Sequence, residues 1–357
     1  MAGAGERIHR GEADGVKRIL LTGVGSPASQ NFLQCLRMAP EKFYIVGADV
    51  NRYHLEWGEL DKAYESPWTS DPDYLDWLNR LIETESVDFV HGQPDYEVAF
   101  LADHAAELKA RTFYPRPDVI QRAQDKFRAC DIWADAGLCH QPLRAERFGF
   151  PASWDYPVWV RATKGAGARG ACKVENAEQG KAWLQHWATR QSEWEFMVEE
   201  YLPGTEYAWH SLWFHGELVC SATREYIEKP MSQHMGGSGI SSSYIVAKTV
   251  ADNEVSRVGE AAVRALDDKP HGSYGMDLRR DRDGNVCPTE CNAGRFKTTS
   301  LFLARAGCNM PWLFVTLGST ARYDSTKPGL LWIRHNDVES VLVVEEHLRA
   351  IPLEIGE

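Results

Sequence analysis

Three short apolar runs in the first third of the chain, each ending on a small or turn-forming group, constrain the fold more than any other feature. Residues 18–22 (RILLT) run into Gly23, residues 43–46 (FYIV) into Gly47-Ala48-Asp49, and residues 87–90 (VDFV) into His91-Gly92-Gln93-Pro94. Stretches 29–38 and 72–83, which lie between them, read as helices. Strands alternating with helices specify a parallel sheet covered by helices, with ligands held beyond the carboxyl ends of the strands. Gly23, Asp49 and the 91–95 turn fall at those ends.

Pro115-Arg116-Pro117 then marks a boundary. Residues 118–137 are expected to be helical, because Phe127, Cys130, Trp133 and Ala134 recur at helical spacing and Gly137 suits a C-terminal cap. From residue 156 the character changes to a mostly antiparallel sheet. Strands are expected at 157–161, 171–174, 196–201, 206–214, 217–226, 243–250, 274–279 and 286–290, with helices at 176–189 and 254–266. Gly216 and Asp281-Arg282-Asp283-Gly284 supply hairpin turns, and Asp252 can cap the later helix, whose Val258, Ala261, Ala262 and Leu266 form a stripe. No internal repeat or low-complexity segment occurs.

Composition narrows the function classes. The 357 residues leave room for two to three domains, at roughly 100–200 residues each. No apolar run of about 18 residues suggests a membrane span. Residues 1–17 are small and charged, without the apolar core of a signal peptide, and read as a flexible tail. Lys+Arg is 39 and Asp+Glu 51, so the net charge is 39 − 51 = −12, which argues against a nucleic-acid surface. The 8 cysteines include no CxxC, and Cys287 and Cys291 have no second pair. That pattern favours reduced thiols in a cytoplasmic protein over a zinc site.

Four motifs carry chemistry. Gly23-Val24-Gly25-Ser26-Pro27-Ala28 is a GxGxxA after a strand, with Asp49 ending the next strand, as in a dinucleotide site. The plainer reading is that such a turn needs small residues for packing. Gly165-Ala166-Gly167-Ala168-Arg169-Gly170 is followed by a strand rather than a helix, so it reads as a hairpin tip whose backbone N–H groups can approach phosphate. Residues 156–174 hold Arg161, Lys164, Arg169 and Lys173 and no acid. A second acid-free island, 291–323, carries Arg295, Lys297, Arg305 and Arg322. Glu290 and Asn292 share one strand face, and Asp277 lies across the hairpin from them. Two carboxylates and an amide oxygen suit Mg²⁺ that also holds phosphate, although a cross-strand polar cluster is the bland alternative. Finally, MVEEYLPGTEY (197–207) is a strand that breaks at Pro-Gly and resumes after an acid.

In this order the segments resemble the ATP-grasp superfamily over about residues 18–320, in its carbamoyl-phosphate-synthase-like, carboxylate–amine ligase branch. The resemblance implies an α/β and α+β chain: a Rossmann-like pre-ATP-grasp domain at 18–117, a central subdomain with the glycine-rich hairpin at 118–195, a C-terminal subdomain at 196–325 and an extension at 326–357. Ala123-Gln124-Asp125-Lys126 is similar to the family's "DK", which implies that Lys126 reaches the nucleotide phosphates. PVWVRATKGAGARGACKV resembles the grasping hairpin, with Lys164, Gly165 and Gly167 near phosphate. Arg161 stands where many members carry lysine, and arginine is usual in the carbamoyl-phosphate-synthase-like branch. VEEYLPGTEY is similar to the interdomain hinge. By that likeness Glu199, Glu200 and Leu202 would bind adenine, largely through backbone atoms, and Glu206 the ribose.

GMDL and PTECNAGRF resemble the metal segment, which makes Asp277, Glu290 and Asn292 the ligands, although glutamate holds the place of Asp277 in many members. Arg295 is similar to the arginine that steadies the acyl phosphate. Arg224 is a second candidate for the oxyanion, with a salt bridge on the sheet as an equally weighted reading. NAGRFKTTS (292–300) resembles a subgroup of carbamoyl-phosphate-synthase-like ligases. The implied cofactors are ATP and Mg²⁺ (or Mn²⁺), and the implied partners are a small carboxylate and an amine. Neither nucleic acid nor membrane is implied, and many relatives are homodimers. Amide or peptide bond formation through an acyl phosphate, with release of ADP and phosphate, is the expected reaction.

Three other readings compete. One is a single-unit enzyme phosphorylating bicarbonate or carbamate. Another is an NAD(P)-dependent oxidoreductase using Gly23, Gly25 and Asp49. The third is a nucleotide sensor without turnover. The segment 228–243 (EKPMSQHMGGSGISSS) has the composition of a lid loop, in which Ser238 and Ser241 are candidates to touch substrate or phosphate, while a plain surface loop is the alternative and the favoured reading for His234. Trp159, Trp194 and Trp209 are expected in the core.

Overall fold

The first third folds as its alternation predicts. β1 (Lys17–Thr22), α1 (Pro27–Arg37), β2 (Phe43–Asp49), β3 (Lys62–Glu65), α2 (Tyr74–Glu85), β4 (Phe89–Gly92) and α3 (Asp95–Asp103) follow one another, and the strands pair in parallel in the order β3-β2-β1-β4. Ser26 caps α1 by accepting a bond from Ser29 N at 3.1 Å, and Pro27 opens the helix with its φ already set. The molecule is known as a computed structural model that describes residues 16–165, 170–228, 246–316, 330–333 and 341–344. The 1–15 part of the tail, Ala166–Arg169 with Gly167, residues 229–245 with His234, Ser238 and Ser241, Arg322 and most of the 326–357 extension lie outside the described residues.

The helical region expected at 118–137 is two helices, α4 (Pro117–Gln124) and α5 (Lys126–Asp135). They break at Asp125, which is extended and caps α5 by accepting from Arg128 N at 3.1 Å. Lys126 N donates to Thr163 O at 2.8 Å, a bond that ties the start of α5 to the next sheet. That sheet is built from β5 (Leu143–Arg144), β6 (Val158–Ala162), β7 (Cys172–Val174) and β8 (Phe196–Glu200), in the order β5-β8-β6-β7, with α6 (Ala145–Phe148) and α7 (Ala177–Ala188) alongside. Val158, Val160, Val174, Val198, Phe150 and Phe196 form a core of its own.

The remaining elements are β9 (Glu206–Phe214), β10 (Glu217–Glu228), β11 (Val246–Val250), α8 (Asn253–Leu266), β12 (Gly272–Arg280), β13 (Val286–Ala293), α9 (Ser300–Arg305), α10 (Met310–Thr316), β14 (Leu330–Ile333) and β15 (Val341–Val344). Their seven strands run in the order β13-β12-β9-β10-β11-β14-β15. His215 and Gly216, at φ 50° and 96°, make the tight turn between β9 and β10. α8 lays Val255, Val258, Ala262 and Val263 into one core with Trp209 and Met276. Burial of each such valine stabilises the fold by roughly 1.5–3 kcal/mol. Residues 208, 210, 222, 224, 275, 277, 290 and 292 share the opposite face, as strand alternation requires. α9 and α10 return to α1, where Phe302, Leu313 and Phe314 join Phe32 and Leu33 in one core. α9 and α10 thus share a core with the N-terminal sheet, and the middle sheet has a core of its own while sending Met197 into the large one.

Trp209 is fully buried, whereas Trp159 and Trp194 are only partly so, Trp194 stacking on Trp187. All eight cysteines are free. Among the described residues no helix is long and apolar enough to cross a membrane.

Candidate active site

The start of α5, the hairpin base after β6 and the end of β13 meet at one cleft of about 480 Å³. Lys126, Lys164, Gly165, Glu290, Asn292 and Arg295 all line it. These are six of the residues singled out in the sequence. The Lys126 ammonium donates to Gly165 O at 2.7 Å and lies 3.5 Å from the Glu290 carboxylate. Gly165 has φ +104°, a conformation that favours glycine, and nothing lies within 4 Å of where a side chain would begin.

The carboxylates come together through a β-bulge. Asp277 on β12 faces Glu290 on β13, but the next pair is Leu278 with Pro288, so Thr289 is the extra residue. β13 is the sheet edge, where a bulge and a proline are tolerated. Partial enclosure would raise the Glu290 carboxyl, yet the charges of Lys126, Arg161, Lys297 and Arg295 outweigh it and hold the group below its ordinary value. Asp277 goes the other way. Enclosure lifts it, and the Glu290 charge adds to that, even though the Lys297 ammonium hydrogen-bonds its carboxylate. Arg295 donates to Asn292 Oδ1, and its Nε lies 2.7 Å from Asp95 at the start of α3.

Arg161 is placed beside the cleft rather than in it. Only 8% exposed, its guanidinium is paired with Glu199, Nε to Oε1 at 2.7 Å and a terminal nitrogen to Oε2 at 3.0 Å. It also donates at 2.8 Å to O of Thr289, the extra residue of the bulge. Burial disfavours its charge, but the Glu199 carboxylate outweighs that and raises its pKa. The Glu199 side chain therefore points at Arg161. Glu200 lies 3.3 Å from the His140 ring.

Beyond β8 the chain is strapped to β12. Gly204 N donates to Arg280 O and Arg280 N to Thr205 O, each at 3.0 Å, and Arg279 bonds Gly204 O. A Cβ on Gly204 would meet Arg280 Cβ at 2.7 Å, so this close approach needs glycine. Arg279 also holds Glu206 at 2.7 Å, and Leu202 is half-buried just before the strap. Arg224 is buried on β10, bonded to Thr299 O and the Tyr226 hydroxyl rather than in a salt bridge with any described carboxylate.

The N-terminal glycine turn is filled by protein. Asp49 accepts from Gly25 N at 2.8 Å and Asn51 N at 2.9 Å. A Cβ on Gly25 would meet His54 at 2.3 Å, and one on Gly23 would meet Pro94 at 2.5 Å. The small residues serve packing there.

No protein-family model matches the sequence, and no curated protein matches it. Solved structures do match in shape. An L-amino acid ligase from Bacillus licheniformis superposes with a TM-score of 0.67 at 14% identity, over 88% of this chain and 79% of its own. The N5-carboxyaminoimidazole synthetase from Staphylococcus aureus complexed with ADP gives 0.66 at 13%, over 89% and 82%. Biotin carboxylase from Campylobacter jejuni, in a complex with β-γ-ATP, gives 0.61 at 14%, over 89% and 75%. This chain has the ATP-grasp fold. Within the ATP-grasp fold, Asp95, at the end of the 91–95 turn, and Gln124, beside Lys126, also line the cleft, as do Gln121 and Arg128, which the sequence did not single out. For Asp95 a signal existed, because it follows the third strand of a parallel sheet, where ligands gather. For Arg128 none did, since an arginine in a helix reads as a solvated charge.

Proposed function

We propose that this chain is an ATP-dependent carboxylate–amine ligase that forms an amide or peptide bond through an acyl phosphate and releases ADP and phosphate. The observation that carries the reading is the convergence of Lys126, Lys164 and Arg295 with Glu290 and Asn292 on one cleft in a chain of net charge −12. Phosphoryl transfer needs positioning and charge neutralisation more than covalent help, and this arrangement supplies both.

The donor set fits Mg²⁺ or Mn²⁺. Asp277 and Glu290 oppose each other and Asn292 adds an amide oxygen, all hard ligands. Among the described residues no three His, Cys, Asp or Glu could hold a metal together, so phosphate oxygens would complete the shell. When bound, the ion would neutralise the β- and γ-phosphates. Lys126 balances the remaining phosphate charge, and Lys164 and the backbone at Gly165 and Gly167 cover it. Arg161 joins them only by releasing Glu199. The backbone of Glu199, Glu200 and Leu202 takes the adenine. Glu206, oriented by Arg279, accepts the ribose hydroxyls. Arg295 steadies the acyl phosphate and the oxyanion formed when an amine attacks it, with Arg224 behind.

A coupled ADP-release screen over amino-acid pairs, with bicarbonate among the acids and mass detection of products, tests this. The expected result is ADP together with a product of mass acid plus amine minus water. ADP release that depends on bicarbonate and yields no joined product would move the reading to carbamate chemistry. Tight Mg-ATP binding with no ADP from any mixture would make the protein a sensor. NAD(P)H fluorescence enhancement without any ATP effect would replace it by a dinucleotide enzyme.

A further inference from the structure

Arg224 is 1% exposed, and among the described residues no carboxylate lies within ion-pair distance of it. Among the described residues its terminal nitrogens reach neutral oxygens, Thr299 O at 3.3 Å and the Tyr226 hydroxyl at 3.1 Å, and its Nε has no hydrogen-bond partner. A guanidinium taken out of water without a counter-charge is strongly unfavourable, and folds normally pair it. His210, also 1% exposed, leaves its Nε2 without a partner on the same face of the same sheet.

The strand register says what these groups surround. One row across the sheet reads Glu290, Asp277, Ala208, Arg224, and the next reads Asn292, Gly275, His210, Ala222. Ala208 thus separates Asp277 from Arg224, and Gly275 separates Asn292 from His210. Two strand spacings put Arg224 roughly 10 Å across the sheet from Asp277. Ala208 and Gly275 thus lie between the proposed metal ligands on one side and Arg224 Nε and His210 Nε2, which have no partner among the described residues, on the other. Lys297 crosses above Gly275, its Cε 3.2 Å from where a Cβ would stand, and ends on Asp277. Burial, reinforced by Arg224, Lys297 and Arg295, pushes the His210 ring far below its ordinary pKa, so it is neutral and can present Nε2–H as a donor.

We infer that Arg224, His210 and Lys297 form the subsite for the carboxylate of the acid substrate. This rests on the ligase reading and assigns its acid a place. A planar guanidinium matches a carboxylate geometrically, and an anion there would supply the counter-charge Arg224 lacks. The same position sets a carboxylate oxygen between Arg224 and the phosphate that Asp277 and Glu290 are proposed to hold through metal.

Thermal unfolding of the full chain with Mg-ADP tests it, with acetate, succinate or inorganic phosphate added against chloride at equal ionic strength. The wild-type midpoint should rise saturably with the carboxylates. Arg224→Met should lose that response while melting in chloride no lower than wild type, because it removes an uncompensated buried charge. His210→Phe should weaken the apparent carboxylate affinity about tenfold, and it answers the question if Arg224→Met fails to fold. A wild type indifferent to carboxylates, an Arg224→Met or His210→Phe that responds normally, or a response to phosphate alone would each overturn the assignment. Mg-ADP separates the two ideas. No midpoint shift with Mg-ADP defeats the ligase reading itself, whereas a shift without a carboxylate response defeats only this subsite.

Discussion

The two glycine-rich turns of this chain sit at opposite extremes. At the end of β1 the turn is closed, because His54 and Pro94 stand where side chains on Gly25 and Gly23 would go, and Asp49 is used up by backbone N–H groups. Among the described residues no cation pairs with the nearby Glu97, which accepts from the Tyr74 hydroxyl at 2.8 Å, and burial pushes its carboxyl up to about 7. At the end of β6 the turn is open beside Gly165, and the acid near it, Glu290, is held down by four cations. Both places are glycine-rich in the sequence, and in the fold each has a carboxylate nearby. They differ in whether tertiary neighbours satisfy the groups or leave them facing a cleft.

The contrast can be broken at its strongest point first. Glu290→Ala should cut ADP formation by roughly 100- to 1000-fold, the scale of losing one key transition-state group, with an unchanged melting midpoint. Undiminished turnover would remove the metal assignment.

Glu97 tests the closed side. Its folded pKa lies above the ordinary 4.5, so its stabilising contribution is complete at low pH and fades as pH rises from 4.5 through about 7. Relative to wild type, Glu97→Gln should therefore gain about 3 kcal/mol between pH 4 and pH 8, at roughly 1.4 kcal/mol per pKa unit. Urea midpoints measured across that range decide it, and a difference independent of pH would show that Glu97 is not raised.

Gly25→Ala should destabilise the protein by about 2 kcal/mol, through overpacking against His54, and leave Mg-ATP affinity alone. Glu206→Ala, at the hinge end of the open side, should raise the ATP requirement about tenfold with a smaller loss of turnover. Gly165→Ala should cost only about 1 kcal/mol for its positive φ, while raising the Mg-ATP KM severalfold. Calorimetry and ATP titration of the glycine variants would invert the picture if Gly25→Ala weakened ATP and Gly165→Ala only lowered the melting point.

Elements with a buried face were legible in the sequence. β1, β2 and β4 bury continuous apolar runs, and α8 carries a clean stripe. β3 was not legible, because it is a short edge strand of half-exposed and exposed residues with no hydrophobic pattern. The break at Asp125 was hidden for another reason. Helical periodicity runs through it, and besides the local Asp125 cap Lys126 N bonds Thr163 O, far along the chain. The Arg161–Glu199 pair, Asp95 beside Arg295 and the uncompensated Arg224 share that origin, since each joins residues from different elements.

The order of the strands and helices that bury a face, the residue types that can hold phosphate and metal, and the fact that Glu290 and Asn292 share a face can all be read from the sequence alone. Those follow from local periodicity, which needs no knowledge of distant residues. Only the tertiary structure decided which glycine turn stays open, where the Arg161 guanidinium points and which buried cations lack a partner. Charge and hydrogen bonding act over a few ångströms in space, and the fold alone sets which residues come that close.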